Sequence, residues 1–509
     1  MKSIRASFGW YAAVWLFVII LFSSALAPRA EAQAAPAAQS HPQHREETRD
    51  RAGDRTVPAL FVSDIHFDPF HDPARLPQLV DAPVNQWSAI LAAPPSPNQQ
   101  QAFESLQQQC HARGVDTSYA LLRSSLQAMK TKQPDANFMT VSGDLIAHAF
   151  ECRYKTLLPP STESDYQAFV LKTISFVVAE LRNSFPAMPV YMALGNNDSG
   201  CGDYKLDSGS DFFKQAGKIL AEGLPLPAQK EAAEQFAAGG YYSVAMATPM
   251  RATRLIVIND TFLSPKYTTC SGAPAPNAGD AQIDWLKKQL NEAREAHQNA
   301  WILGHIPPGV NVPSTMAKMK NVCAKAKPEM FLASGALTDD LTANADVIRF
   351  AIFAHTHMDE LRLLRPQDDV ASTSSEHDVA IKMVPSISPV DGNNPAFTIA
   401  KVNPSKSILQ DYEVISASNQ TGIDTTWSLE YEFAKAYHES EFSPASVKEL
   451  IGKFKNDRDS NQDVSAAYIR NFFVGDRSVL LKPFWPQYVC GLANSTATSF
   501  AACMCGTDK

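Results

Sequence analysis

The chain is 509 residues long, with 45% hydrophobic and 19% charged residues, a balance that leaves room for two globular domains and excludes a disordered or fibrous protein. Its formal net charge is −8. An acidic surface lacks the clustered Lys and Arg that a phosphate backbone requires, so no nucleic-acid binding surface is expected.

Taken in chain order, Lys2 and Arg5 precede an apolar run from Phe8 to Ala27, and Ala-x-Ala patterns come next at Ala30 to Ala32 and Ala32 to Ala34. Residues 1–34 therefore read as a secretory signal peptide. Left uncleaved, a run of that length would serve as an N-terminal membrane anchor. Cleavage after Ala34 removes Lys2, Arg5, Arg29 and Glu31, a net +2, and takes the mature chain to near −10. Residues 35–57, rich in Ala, Pro, Gln and His without an apolar period, read as a flexible linker. The expected location is secreted or periplasmic. In that setting the eight cysteines read as disulfides. The pairs suggested are Cys270 with Cys323, and Cys490 with Cys503 or Cys505.

Residues 58–400 form the expected catalytic domain. Short apolar runs rich in Val, Ile and Phe recur at Ala59 to Val62, Phe138 to Val141, Val190 to Leu194, Leu255 to Ile258, Ala300 to Leu303 and Phe350 to Phe353, and each reads as a buried strand. Between the first two, Leu121, Leu122, Leu126 and Met129 are spaced for a helix over Asp116 to Lys130, with Asp116 or Thr117 as its N-cap. Alternating strands and helices predict an α/β sheet. Ser271 to Asp280 and Gln367 to Asp378 read as surface loops. Residues 401–509 read as a mainly helical C-terminal subdomain, with helices at Trp427 to Tyr437, Ser446 to Phe454 and Val464 to Phe473.

The informative residues stand at the carboxyl ends of these strands. Five runs lead directly into metal-ligand residue types: Asp64 and His66; Asp144; Asn196 with Asn197; His305; and His355 with His357. Open α/β sheets bind ligands at the carboxyl ends of their strands, so five loops would converge on one rim. In extended chain, residues two apart face the same way, which lets Asp64 and His66, or His355 and His357, address one cation cluster. Mixed carboxylate and imidazole donors suit zinc, manganese or iron better than calcium.

These ordered blocks resemble the calcineurin-like metallophosphoesterases and, within them, the acid sphingomyelinase and sphingomyelinase-like phosphodiesterase branch. The likeness rests on Ser63-Asp64-Ile65-His66-Phe67-Asp68-Pro69, Gly143-Asp144 with His148, Gly304-His305-Ile306-Pro307-Pro308-Gly309 and His355-Thr356-His357-Met358-Asp359-Glu360, and extends through Gly392-Asn393-Asn394-Pro395. It implies a two-sheet α/β/β/α sandwich and two divalent metal ions, zinc first, with manganese or iron as alternatives. One ion would be held by Asp64, His66 and His357, the other by Asn196, His305 and His355, with Asp144 bridging. Two cations about 3.5–4 Å apart lower the pKa of a water between them, so hydroxide can attack phosphorus near neutral pH. The implied activity is hydrolysis of phosphodiester or phosphoanhydride bonds in a small phosphorylated substrate: a nucleotide, a phosphodiester or a phospholipid head group.

Two departures bear on mechanism. Most relatives carry His after the metal-binding Asn, where this chain has Asn197, and an amide cannot act as a general acid. His148 becomes the candidate acid. The Gly-Asn-Asn-Asp version is also similar to fungal endopolyphosphatases, and a catalytically silent metal-containing binder of phosphorylated ligands is the rival reading. Second, residues 35–57 are too few, and lack the cysteines, for the saposin-type lipid module of the acid sphingomyelinases.

Overall fold

The computed structural model describes residues 55–275, 277–366, 374–474 and 481–506; the signal peptide and nearly all of the linker expected above lie outside them. The first apolar run forms strand β1 (Val57–Val62), flanked by β2 (Met139–Val141) and β3 (Val190–Met192) in parallel, while β10 (Ala396–Asn403) pairs antiparallel on its other side. β11 (Ile408–Ala417) and β12 (Trp427–Glu432) complete a six-stranded sheet in the order β12-β11-β10-β1-β2-β3. A second sheet has the order β4-β5-β6-β7-β9-β8, from β4 (Tyr242–Ala245), β5 (Thr253–Val257), β6 (Asn299–Leu303), β7 (Ile348–Phe353), β8 (Glu360–Leu364) and β9 (Val379–Met383). Its four central strands are parallel and its two edges antiparallel.

The sheets stack on each other, and helices cover the second sheet's far face. In β6, Trp301 and Leu303 join the large core between the sheets, whereas Ala300 and Ile302 pack with Ile283, Leu286 and Leu290 of the helix Asn277–Glu295. A strand buried on both faces reads as a continuous apolar run, which is why these segments were visible in the sequence. Phe61 and Phe138 of the first sheet meet Trp301 of the second at ring distances of 6.3 and 5.9 Å. The α/β sandwich expected from the sequence is thus the architecture found.

Three local expectations are corrected. The helix near Asp116 runs Tyr119–Lys132 with Ser118 as its N-cap, its side chain accepting from the Leu121 amide; Asp116 and Thr117 precede it. Trp427 to Tyr437 is not one helix but strand β12 joined to the short helix Phe433–Tyr437. Within the C-terminal stretch expected to be mainly helical lie the helices Pro444–Asn456 and Asp463–Phe472. The disulfides are Cys110–Cys152, Cys201–Cys270, Cys323–Cys505 and Cys490–Cys503, so of the two partners suggested for Cys490 it takes Cys503, while the suggested pairing of Cys270 with Cys323 is not found. Among the described residues no helix is long and apolar enough to cross a membrane.

Candidate metal centre

All five loops at the ends of β1, β2, β3, β6 and β7 reach one rim, shared by the two sheets. His66 Nε2 lies 3.2 Å from His357 Nε2 and 3.4 Å from Asp144 Oδ2. His357 Nε2 lies 3.4 Å from Asp64 Oδ1. On the other side of Asp144, His305 Nε2 is 3.1 Å from Oδ2, and His355 Nδ1 is 3.3 Å from His305 Nε2. Donor atoms of Asp64, His66 and Asp144, and of Asp144, His305 and His355, fall into groups that could each hold a metal ion, with Asp144 common to both. Asn196 Oδ1 and both Asp64 carboxylate oxygens are buried without a hydrogen-bond partner, as oxygens left for a cation would be.

The backbone is strained where these donors sit. Asp64, His66, Asp144, His355 and His357 all have φ between 42° and 71°, a left-handed conformation that costs non-glycine residues about 1–3 kcal/mol each. Close approach also demands glycine beside Asp144: a Cβ on Gly195 would stand 2.1 Å from its Oδ1.

Surrounding groups fix each ring. The Ile146 and Ser142 carbonyls lie 2.9 and 2.7 Å from Nδ1 of His66 and His305. A carbonyl can only accept, so Nδ1 carries the hydrogen in both and Nε2 is the nitrogen left facing the site. His357 turns Nδ1 toward Asp391 Oδ2 at 3.4 Å. The Asn197 amide and side-chain Nδ2 donate to the two Asp144 oxygens at 2.8 and 2.9 Å. Asp198 accepts from the Leu145, Ile146 and Gly195 amides, tying the loops after β2 and β3 together. Asp260 accepts from the His305 amide.

Burial opposes charge throughout, yet Asp64 is lowered to about 2 because His357, His66 and His305 surround it. Against the same burial, Asp144 pushes His66 up to about 9 and His305 up to about 10. Burial and neighbouring histidines hold His357 down at about 4 and His355 well below the ordinary value. Asp198 and Asp260, buried and facing Asp144, rise to about 7.

His148 stacks on His66 with ring centroids 3.9 Å apart, and its donor nitrogen groups with those of His66 and His357. Sequence reasoning missed its partner, Asp116. One carboxylate oxygen lies 2.9 Å from His148 Nδ1 and the other accepts from the His148 amide. Asp116 is fully buried, held by Ser388 Oγ and close to Arg153, which also pairs with Asp68. His148 keeps its carboxyl well below the usual range despite that burial. Only its place among small polar residues ahead of an apolar helix marked Asp116 in the sequence, and that pattern pointed to a cap.

Stacked mixed sheets with Asp, Asn and His gathered on one rim define a metal-dependent phosphoric ester hydrolase. The chain belongs to the calcineurin-like phosphoesterase family, whose model matches residues 57–359. It is 25% identical over 405 residues to the human acid sphingomyelinase-like phosphodiesterase 3b, covering 76% of this chain and 80% of the relative. It is also 25% identical over 396 residues to the human cyclic GMP-AMP phosphodiesterase SMPDL3A, with the same coverage of both chains. Against sphingomyelinase phosphodiesterase C of Dictyostelium discoideum the identity is 25% over 345 residues, 66% of this chain and 70% of that one. Among solved structures, a dimetal phosphatase from Danio rerio aligns with 12% identity and a TM-score of 0.39, covering 74% of this chain and 99% of that one.

Proposed function

We propose that this chain is an exported two-metal phosphoesterase that hydrolyses phosphodiester or phosphoanhydride bonds of small phosphorylated substrates. Asp64, His66 and His357 hold one cation, Asn196, His305 and His355 the other, and Asp144 is shared. The observation that carries the reading is a pair of distances, 3.2 Å between the His66 and His357 nitrogens and 3.3 Å between those of His305 and His355. Two nitrogens bound to one tetrahedral zinc at 2.0–2.1 Å stand about 3.3 Å apart. Zinc is the metal the donor set fits, ahead of manganese or iron.

When bound, the two cations would polarise the phosphoryl oxygens and lower the pKa of a water held between them. The chain's own groups supply the rest. Asn197 pins both oxygens of Asp144. His148, with Nδ1 committed to Asp116, has Nε2 left to pass a proton to the leaving oxygen. Export is supported by the N-terminal charge and apolar pattern and by four disulfides. Relatives named for cyclic GMP-AMP and sphingomyelin support a small phosphodiester as substrate.

Zinc- or manganese-loaded protein should turn over bis-p-nitrophenyl phosphate, and a panel of ATP, polyphosphate, phosphocholine esters and sphingomyelin should rank the substrates. Loaded protein that turns over none of them would favour the silent binder.

A second expectation concerns pH. Because His66 and His305 have folded-state values raised above 6.5, the metal-free protein draws stability from them that is complete below about pH 6.5 and fades as pH rises through about 9 and 10. Cations need the same rings neutral, so binding releases protons and tightens over the same window. The melting-temperature gap between loaded and chelator-stripped protein should therefore widen from pH 7 to 9. A gap that narrows would contradict the ligand roles of His66 and His305.

A further inference from the structure

Three of the four histidines at the centre turn their outward nitrogen to a backbone carbonyl or a carboxylate: His66 to Ile146, His305 to Ser142 and His357 to Asp391. His355 differs. Its Nε2 meets the hydroxyl of Tyr204 at 3.4 Å, with the two rings edge to face. Beside Tyr204, Asp203 Oδ1 accepts from Asn196 Nδ2 at 2.7 Å, which turns the unpartnered Asn196 Oδ1 the other way.

We propose that Asp203 and Tyr204 together are positioning residues for one half of the centre, setting its affinity for the cation held by Asn196, His305 and His355. The inference rests on those ligand roles as proposed above. Its independent support is the backbone. Tyr204 has φ +58° although it is bulky and nearly buried, a conformation that persists where the surroundings over-determine it. They do so here. The Tyr204 amide donates to the Asn196 carbonyl at 3.0 Å, and its own carbonyl accepts from the Thr268 amide at 3.1 Å. The Cys201–Cys270 disulfide staples the same two loops, and Lys266 Nζ sits 4.7 Å above the phenol ring. These constraints aim the hydroxyl at His355 and the carboxylate at Asn196.

The test is zinc content after equilibrium dialysis against graded free zinc, on the full chain and on Tyr204→Phe, Asp203→Ala and Asp203→Asn. The native chain should hold two ions. Tyr204→Phe and Asp203→Ala should keep one at native affinity and bind the other about 10–100-fold more weakly, with activity restored by excess zinc. Asp203→Asn, which retains an oxygen for Asn196 Nδ2, should stay within about threefold of native, well inside the range expected for a lost support. Native affinity for both ions in the first two variants, or equal weakening of both, would overturn the proposal. A native chain that binds no ion would instead remove the reading it rests on.

Discussion

Asp144→Ala should leave a chain that no longer retains two metal ions and whose kcat/KM on bis-p-nitrophenyl phosphate falls by about a thousandfold or more. Asp144 Oδ2 reaches both histidine pairs, 3.4 Å from His66 Nε2 and 3.1 Å from His305 Nε2. Its loss removes a ligand from each cation at once, and metal stabilisation of transition-state charge is worth several kcal/mol, with each 1.36 kcal/mol a factor of ten. The substitution also frees Asn197, which gives two hydrogen bonds to Asp144. Elemental analysis and steady-state kinetics check the two halves of the expectation separately. Two ions and unchanged turnover in the variant would show that Asp144 does not bridge.

The second large effect belongs to the dyad. His148→Ala should slow a substrate with a poor alkoxide leaving group by about 10²–10⁴-fold, the range of general acid catalysis, and a p-nitrophenolate ester far less. Asp116→Asn should reproduce the same leaving-group pattern more weakly, because it keeps the shape of the side chain 2.9 Å from His148 Nδ1 but not its charge. Equal losses on both substrates would remove the acid role and leave His148 as a group that merely orients phosphate. Asn197 cannot substitute for it: both its amide groups are spent on Asp144.

The parts of this arrangement that could be read in the sequence are those where a local pattern carries the physics. Six strands announced themselves as apolar runs because their neighbours cover both faces, and the loops after five of them ended in donor residues. β4 and β8 to β12 gave no such signal. β12 is largely exposed or half-buried and β11 is half-buried at three positions, while buried β8 and β9 carry Glu360, Arg362 and Lys382 in internal ion pairs, which interrupts their apolar pattern. Trp427 to Tyr437 is instructive: Trp427, Leu429, Tyr431 and Phe433 alternate with the period of a strand, and only Phe433 to Tyr437 has helical spacing. Residues that act through another group were invisible for a different reason. Asp116 lies 32 positions from His148 and Tyr204 lies 151 from His355, and Asp391 is likewise far along the chain from His357, so nothing local marks them. Asp359, part of the block that carried the family likeness, was legible as a motif but not as a role. It accepts from buried Lys382 and from Tyr431 of β12, joining the edge of the first sheet to the second.

The disulfides show the same limit. Cys490–Cys503 spans 13 residues and was within reach of a sequence reading, while Cys323–Cys505 spans 182 and could be found only from the fold.

The most direct test is anomalous X-ray diffraction from crystals of the zinc-loaded chain. Two peaks about 3.5–4 Å apart are expected, one beside Asp64, His66 and His357, the other beside Asn196, His305 and His355, with Asp144 touching both. Zinc-loaded crystals with no peak among these seven side chains would contradict this expectation.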